Sequence, residues 1–255
     1  MAVWAYLENA TRGLPAVTKG KGFAGGWMVD EIGCGRFIGP YPCCTIVTGD
    51  CRELAPAIPD ESVDLIFTDP VYDRIEDYRW LAETAARVLR YRGICFAYCW
   101  GTRSADVTQA MTIMGLVYRS PVFDLKIGFA SLDGGANRRV MSRPAHVWSR
   151  GSHDNSFWLS DVVYSRPAGR TINYAINHEW SKNPSACIAW LSMIPAGLTV
   201  DFFAGGGTVP AVCKMLGRHY LAFEIEPDVA ERAREWVRNT QPPLFVAQPE
   251  QMRLE

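Results

Sequence analysis

Short apolar runs alternate with stretches of helical periodicity along most of the chain. Residues 62–68, with Val63 and the apolar stretch 65–67, predict a strand, and apolar residues then recur at helical spacing over residues 75–89. A second strand at 93–100 and a short helix at 104–114, ended by Gly115, continue the alternation. Such alternation predicts an α/β fold with a mostly parallel sheet covered by helices on both faces.

The pattern becomes irregular and β-like after this helix. Residues 116–123, 125–130 and 145–149 are predicted strands, and the glycine- and arginine-containing stretch 133–139 is predicted to be an exposed loop. A helix is expected to start at Asn183-Pro184, because proline is favoured in the first turn.

A glycine turn marks the last third of the chain. An apolar strand pattern at 199–203 leads into Gly205-Gly206-Gly207 and then into a helix pattern. Glycines at such a turn let the backbone approach a ligand closely. A further strand at 220–223 ends on Glu224, 17 residues after Gly207 and near the roughly 20-residue offset at which an acidic side chain meets ribose hydroxyls. Since no Gly-Lys-Ser/Thr closes the turn, we expect a nucleotide-type cofactor site rather than a phosphate-binding loop.

Asp69, Pro70 and Tyr72 directly follow the strand at 62–68. This Asp-Pro-x-Tyr sequence, followed later by Phe-x-Gly-x-Gly, resembles the amino-group (N6-adenine/N4-cytosine) DNA methyltransferases of the β group, which carry Asp-Pro-Pro-Tyr in the first position. The resemblance spans about residues 45–238, with Val71 replacing the family's second proline. Further matching elements are Gly49-Asp50, Lys182-Asn183-Pro184 and Leu216-Gly217-Arg218.

The resemblance implies the Rossmann-like fold of S-adenosylmethionine-dependent methyltransferases, with a mostly parallel, seven-stranded sheet in which the catalytic and cofactor strands are neighbours. It implies a catalytic domain at 45–238 with a small target-recognition insertion at about 119–177. A loop-rich segment at 1–44 would precede this domain, and a polar tail at 239–255 would follow it.

The resemblance also implies S-adenosylmethionine as cofactor and double-stranded DNA as substrate. The Asp69 carboxylate and the Pro70 carbonyl would each accept one N–H of the target amine, and Tyr72 would stack on a base turned out of the helix. Aspartate in the first motif position favours adenine N6 as the target. The implied cofactor-binding residues are Asp50 (at the adenine ring), Lys182 (at the methionine end), Asp201, Phe203, Gly205, Gly207 and Glu224 (at the ribose).

Charge is unevenly distributed although the net charge is only -1. Residues 119–170 carry a net charge of +4, and the rest of the chain carries -5. Arginines in a loop-rich region bind phosphates and read guanine edges, so Arg138, Arg139 and Arg143 are predicted DNA contacts. A solvated charged surface is the alternative for each of them.

Eight cysteines occur without any Cys-x-x-Cys pair, so no metal ligand is assigned, although Cys34, Cys43 and Cys44 lie close together. Most of the others lie within apolar runs and are expected in the core. Pro42-Cys43 lies in a loop-rich segment away from the Asp69 loop, which argues against a covalent cytosine-C5 mechanism.

No stretch approaches about 20 uninterrupted apolar residues, and no basic segment followed by an apolar core opens the chain, so a soluble, cytoplasmic protein of a prokaryotic or phage-infected cell is expected. The resemblance implies a restriction-modification or phage setting and a possible homodimer. The alternatives are an N4-cytosine or RNA methyltransferase, or a catalytically weakened nucleic-acid-binding member, which Val71 favours. At the cofactor site, the alternatives are a tight turn without ligand, a helix-capping Asp50 and a surface Glu224.

Overall fold

The computed structural model describes most of the chain between Cys34 and Gln241. The described ranges are 34–126, 131–133, 138–140, 142–152, 157, 159–165 and 184–241. Lys182, predicted at the cofactor site, lies outside them.

The described chain contains twelve strands, six α-helices and two short 3-10 turns, Ala55–Ala57 and Gly101–Arg103. The strands are β1 (Phe37–Ile38), β2 (Tyr41–Pro42), β3 (Thr45–Thr48), β4 (Val63–Thr68), β5 (Leu89–Tyr98), β6 (Leu116–Lys126), β7 (Ser131–Asp133), β8 (Arg138–Val140), β9 (Ser142–Arg150), β10 (Val162–Ser165), β11 (Thr199–Asp201) and β12 (Tyr220–Glu224). The helices are α1 (Cys51–Leu54), α2 (Ile75–Val88), α3 (Ser104–Ile113), α4 (Pro184–Met193), α5 (Thr208–Met215) and α6 (Pro227–Asn239).

The main sheet has the strand order β10-β6-β9-β5-β4-β11-β12-β3. All neighbours are parallel except β9, which runs antiparallel to both β5 and β6. The α/β class and the mostly parallel sheet are confirmed, but the sheet has eight strands rather than the seven expected. The expected pairing of the strand before Asp69 with the strand before the glycine turn is also confirmed, because β11 pairs directly with β4.

Two details differ from the sequence prediction. Strand β6 is continuous to Lys126, where separate strands at 116–123 and 125–130 were expected, because β9 pairs along almost its whole length. The predicted exposed loop at 133–139 is in part a hairpin, since Asp133 pairs with Arg138 and the backbone of β8 continues the antiparallel register. Backbone hydrogen bonding therefore takes Arg138 and Arg139 out of the loop.

The core lies on both faces of the sheet, as its predicted helix-sheet-helix layering requires. Alternate residues of one strand point to opposite faces, so Ile66 of β4 joins the cluster under α2 while Phe67 joins the cluster under α4. Leu81 of α2 and Trp190 of α4 are fully buried against these two faces. No helix among the described residues is long and apolar enough to cross a membrane.

Candidate active site

Four acidic residues lie at the carboxyl ends of four neighbouring strands, at one end of the sheet. Strands β3, β4, β11 and β12 are mutually parallel, so their carboxyl ends meet there. Asp50 and Asp69 follow β3 and β4, and Asp201 and Glu224 are the last residues of β11 and β12. This end is where open α/β sheets bind ligands.

Asp201 connects the two halves of the site. Its Oδ1 atom accepts a hydrogen bond of 2.7 Å from the Thr68 hydroxyl and one of 3.1 Å from the Phe203 N–H. The side chain is almost fully buried, at 3% exposure. A buried carboxylate needs such donors because it has lost its hydration. Asp201 therefore positions the glycine turn against the end of β4.

Two of the three glycines at the turn, Gly205 and Gly207, have different surroundings. Both have left-handed backbones, with φ of +51° at Gly205 and +85° at Gly207. A Cβ on Gly207 would lie 2.8 Å from the Ala233 Cβ, so Gly207 permits α6 to pack closely. Among the described residues, nothing lies within 4 Å of a Cβ placed on Gly205. Gly205 thus leaves the space that a ligand needs to approach the backbone.

Glu224 is part of the turn rather than a surface carboxylate. Its Oε2 atom accepts the Gly205 N–H at 2.7 Å, and its Oε1 atom accepts the Glu226 N–H at 2.9 Å. The residue is 9% exposed. Each carboxylate oxygen has two lone pairs, so these bonds leave acceptor capacity for a hydroxyl group.

Asp50 caps α1, as the structural alternative proposed. Its Oδ1 atom accepts the Arg52 N–H at 2.9 Å, and the Arg52 guanidinium lies 3.3 Å from the same atom. The Asp50 side chain keeps 29% of its surface exposed. The cap therefore fixes the carboxylate at the edge of the sheet while part of it faces solvent.

Arg52 contributes a connection that the sequence analysis missed. Its guanidinium forms an ion pair with the buried Asp77 of α2 and lies 5.8 Å from the ring centroid of Trp80. Trp80 in turn contacts Phe203 edge-on, with centroids 6.2 Å apart. These side chains link α1 and α2 to the glycine turn. No local pattern signals a pairing of residues 25 positions apart.

The Asp69 loop continues from β4 with Pro70 buried and Val71 exposed at 48%. The Val71 carbonyl accepts the Arg74 N–H at 3.1 Å, which closes a turn before α2. Tyr72 is half-buried, and its ring centroid lies 5.5 Å from that of Trp100, which is 42% exposed. The two rings form an aromatic surface beside Asp69, at the end of the catalytic strand.

The charge of Arg143 acts on Tyr72 of this aromatic surface. Burial raises the pKa of Tyr72, and the positive charge of Arg143 opposes that rise. Arg143 lies on β9 opposite Asp124 of β6. The backbones of Arg138 and Arg139 lie in β8, and their side chains are outside the described atoms. Of the three predicted DNA contacts, Arg143 is the one whose side chain the structure describes, and its charge acts on Tyr72.

A pocket lies beside the site along α3, beginning at Gly101, the residue after Trp100. His146 lines it and contacts the Ser104 hydroxyl at 2.7 Å and the Tyr118 hydroxyl at 2.9 Å. Burial lowers the pKa of His146 to about 4, so the ring is neutral at physiological pH. The sequence analysis did not identify this histidine.

Known proteins with similar sequences or folds are methyltransferases. The family described as "DNA methylase" (N6_N4_Mtase) matches residues 153–235. The chain is 24% identical over 229 residues to the type II methyltransferase M.BamHI of Bacillus amyloliquefaciens, covering 71% of this chain and 54% of that protein. It therefore spans about half the length of that relative.

Two solved structures share the fold. The M1.HpyAVI-SAM complex aligns with a TM-score of 0.64 at 18% identity, over 75% of this chain and 98% of the other. The cytosine-N4-specific PvuII DNA methyltransferase aligns with a TM-score of 0.65 at 15% identity, over 76% of this chain and 85% of the other. The fold is thus that of the S-adenosylmethionine-dependent methyltransferases. The chain is thus similar in sequence and in fold to amino-group DNA methyltransferases.

Proposed function

We propose that this protein transfers the methyl group of S-adenosylmethionine to the N6 amino group of adenine in double-stranded DNA. The observation that carries the proposal is the pairing of β4 with β11, which the hydrogen bond from Thr68 to Asp201 stabilises. This pairing holds the Asp69 loop beside the glycine turn. A transfer reaction needs that adjacency, because orienting two reactants converts a bimolecular step into a nearly unimolecular one.

The residues of the turn fit a nucleoside cofactor. Open space beside Gly205 allows close approach to the backbone, and Glu224 has acceptor capacity for ribose hydroxyls. Asp50 presents a partly exposed carboxylate at the same edge for the adenine ring. The solved M1.HpyAVI complex contains the same cofactor, which supports this choice. When bound, S-adenosylmethionine supplies an electrophilic methyl group on a sulfonium.

The Asp69 loop supplies the groups that the acceptor amine requires. An exocyclic amine delocalises its lone pair into the base and is a poor nucleophile. Hydrogen bonds from its two N–H groups to the Asp69 carboxylate and the Pro70 carbonyl favour a more tetrahedral nitrogen with an available lone pair. The charged acceptor contributes more, because hydrogen bonds to ionised groups are roughly twice as strong as neutral ones. Tyr72, backed by Trp100, offers a ring on which a turned-out base stacks.

Cytosine N4 is the second candidate target. The structural similarity to the cytosine-N4-specific PvuII enzyme supports it, and both bases present an amine of similar geometry. Aspartate at position 69 supports adenine, since the resembling adenine enzymes usually carry aspartate where the cytosine enzymes carry serine.

The test is to incubate the purified chain with S-adenosylmethionine and mixed-sequence double-stranded DNA, digest to nucleosides and identify the products by mass spectrometry. We expect N6-methyladenine from the wild type and from Asp60→Ala, whose carboxylate lies before β4 at the opposite edge of the sheet. Asp69→Ala should reduce the product at least about 100-fold, which corresponds to roughly 3 kcal/mol of transition-state stabilisation. N4-methylcytosine would establish the second candidate. Equal activity of Asp69→Ala and Asp60→Ala would overturn the assigned role of Asp69.

A further inference from the structure

Three cysteines and one histidine converge at the amino ends of β3 and β12, at the end of the sheet opposite the active site. Cys43 and Cys44 immediately precede β3, and His219 immediately precedes β12, which pairs with β3 in parallel. Cys34 lies nine residues before Cys43. One ligand atom from each of these four residues lies within 4.8 Å of all the others. All eight cysteines of the chain are free thiols.

Four of the six distances in this cluster match the edges of a coordination tetrahedron, and the other two are at most 4.8 Å. The His219 Nδ1 atom lies 3.4 Å from the Sγ atoms of Cys34 and Cys43 and 3.8 Å from that of Cys44. The Cys43 and Cys44 sulfurs are 3.7 Å apart. Zn–S bonds of about 2.3 Å and Zn–N bonds of about 2.0 Å give tetrahedral edges of about 3.8 Å between sulfurs and about 3.5 Å between sulfur and nitrogen.

Hydrogen bonding does not account for this geometry. An imidazole nitrogen has either one proton to donate or one lone pair to accept with, yet Nδ1 of His219 faces three sulfurs. A single ion placed among the four atoms satisfies all of them at once.

The backbone is arranged to bring the sulfurs together. Neighbouring side chains in an extended chain point to opposite sides, but Cys44 has a left-handed backbone with φ of +65°. This conformation is uncommon for a residue other than glycine, and it turns the two sulfurs of Cys43 and Cys44 towards each other. Backbone bonds hold the arrangement, since the Cys44 N–H donates to the Tyr220 carbonyl at 2.7 Å and the Cys43 N–H donates to the Arg36 carbonyl at 2.8 Å.

We propose that Cys34, Cys43, Cys44 and His219 form a structural zinc site. Three thiolates and an imidazole make a soft, four-coordinate ligand set of the kind that closed structural zinc sites use. No sequence pattern marks this site, because it has no tight Cys-x-x-Cys pair and its fourth ligand lies 175 residues beyond Cys44. The ion connects the segment around Cys34 to β3, the strand at the side of the sheet. It lies at the amino ends of β3 and β12, so it acts on stability and not on methyl transfer.

Arg36 contacts the imidazole ring of this site. Its Nη1 atom lies 3.1 Å from Nε2 of His219, and a guanidinium only donates hydrogen bonds. In that contact Nε2 accepts, which puts the ring proton on Nδ1, the atom that must be deprotonated to bind zinc. The exposed Arg36 side chain therefore has to turn away when the ion binds. Arg36→Gln, whose amide oxygen accepts from an Nε2–H, should bind zinc at least as tightly as the wild type.

The first experiment measures zinc in the full chain, purified under reducing conditions without chelator, by elemental mass spectrometry. We expect one zinc per chain, and cobalt substitution should give the visible absorption of tetrahedral cobalt with thiolate charge-transfer bands. Cys34→Ser should weaken zinc binding at least about tenfold in a competition assay with a chromogenic chelator. Cys34 is exposed, so the substitution should leave the fold intact. Cys95→Ala, at a buried cysteine outside the cluster, should retain one zinc per chain.

A second measurement separates this site from the active site. Removing zinc with a chelator should lower the melting temperature, and cofactor binding at a temperature where the chain remains folded should stay unchanged. The proposal fails if the wild type binds no zinc, if Cys34→Ser keeps full zinc occupancy and the cobalt spectrum, or if non-reducing mass spectrometry finds Cys43 and Cys44 joined as a disulfide. Each of these results leaves the assignment of the Asp69 site untouched.

Discussion

At the scale of single residues, Gly205 and Gly207 share a left-handed backbone but have different reasons to be glycine. Alanine at Gly205 meets only the conformational penalty of about 1 kcal/mol, because nothing described lies within 4 Å of its Cβ. Alanine at Gly207 adds overpacking against Ala233, so we expect a loss of about 2–4 kcal/mol in the free energy of unfolding. Urea unfolding of the two variants checks the order.

Cofactor binding should be affected in the opposite order, with the larger loss in Gly205→Ala. Gly205→Ala places a methyl group in the proposed cofactor space and should weaken S-adenosylmethionine binding in calorimetry while the fold persists. Gly207→Ala combined with Ala233→Gly should recover part of the lost stability, because the second change removes the Cβ that lies 2.8 Å away. Equal losses of stability for the two single variants would show that packing against α6 is not what requires Gly207.

At the scale of elements, one cation joins α1 to α2. Arg52→Met would leave Asp77, whose side chain is 3% exposed, without its charged partner. Breaking a buried pair costs about 3–5 kcal/mol, and the 37% exposure of the Arg52 side chain reduces the expected loss to about 2 kcal/mol. Adding Asp77→Asn should restore much of it, because a neutral amide costs less to bury.

The control for Arg52 is Arg103→Met. Arg103 pairs with Asp106 across an exposed helix surface, and such pairs contribute at most about 1 kcal/mol. The free energies of unfolding of the two variants, measured in urea, should therefore differ clearly. If Arg103→Met cost as much as Arg52→Met, the buried position of Asp77 would not be the cause.

The packing of α3 against β6 and β9 should make stability depend on pH through His146. Its folded pKa of about 4 lies below the unfolded value of about 6.5, so the unfolded state binds more protons between these values. Stability is then complete above about pH 6.5 and falls as the pH drops towards 4. The groups in contact with the ring, including Ser104, Tyr118 and Thr108, are uncharged there.

We expect this histidine to contribute about 2 kcal/mol to the loss in the free energy of unfolding. A shift of one pKa unit corresponds to about 1.4 kcal/mol, and the partial exposure of the ring reduces the total. Urea unfolding of the wild type and His146→Gln at pH 7 and pH 4.5 measures it. The wild type should lose more stability than the variant between the two conditions. Parallel losses would show that carboxylates alone cause the acid sensitivity.

At the scale of the whole molecule, the sequence predicts what neighbouring residues determine. The helix start at Pro184 and the left-handed Gly115 after α3 are confirmed, because proline and glycine act through their own backbones. The pairing of β4 with β11 followed from the resemblance and is also confirmed. The Arg52–Asp77 pair and the approach of Cys34 to His219, 185 residues away, were missed, since spacing alone does not reveal which distant segments a sheet brings together.

The uneven charge of the molecule leads to a prediction about DNA. Residues 119–170 carry +4 in a chain of net charge -1, and Arg143 brings part of that charge close to Tyr72. Each phosphate contact releases counterions, so removing one contact lowers the slope of log K against log salt concentration by about 0.9. Arg143→Ala should show this change in DNA binding titrated over salt.

Arg238→Ala is the matched control, because Arg238 is exposed at the end of α6, which packs against β3 and β12 at the far side of the sheet. Its slope should equal that of the wild type. An unchanged slope in both variants would mean that the charge of Arg143 is balanced within the protein, by Asp124 opposite it on β6, and that other cations hold the DNA. A weaker affinity with an unchanged slope would instead assign Arg143 to a base contact, because base contacts release no counterions.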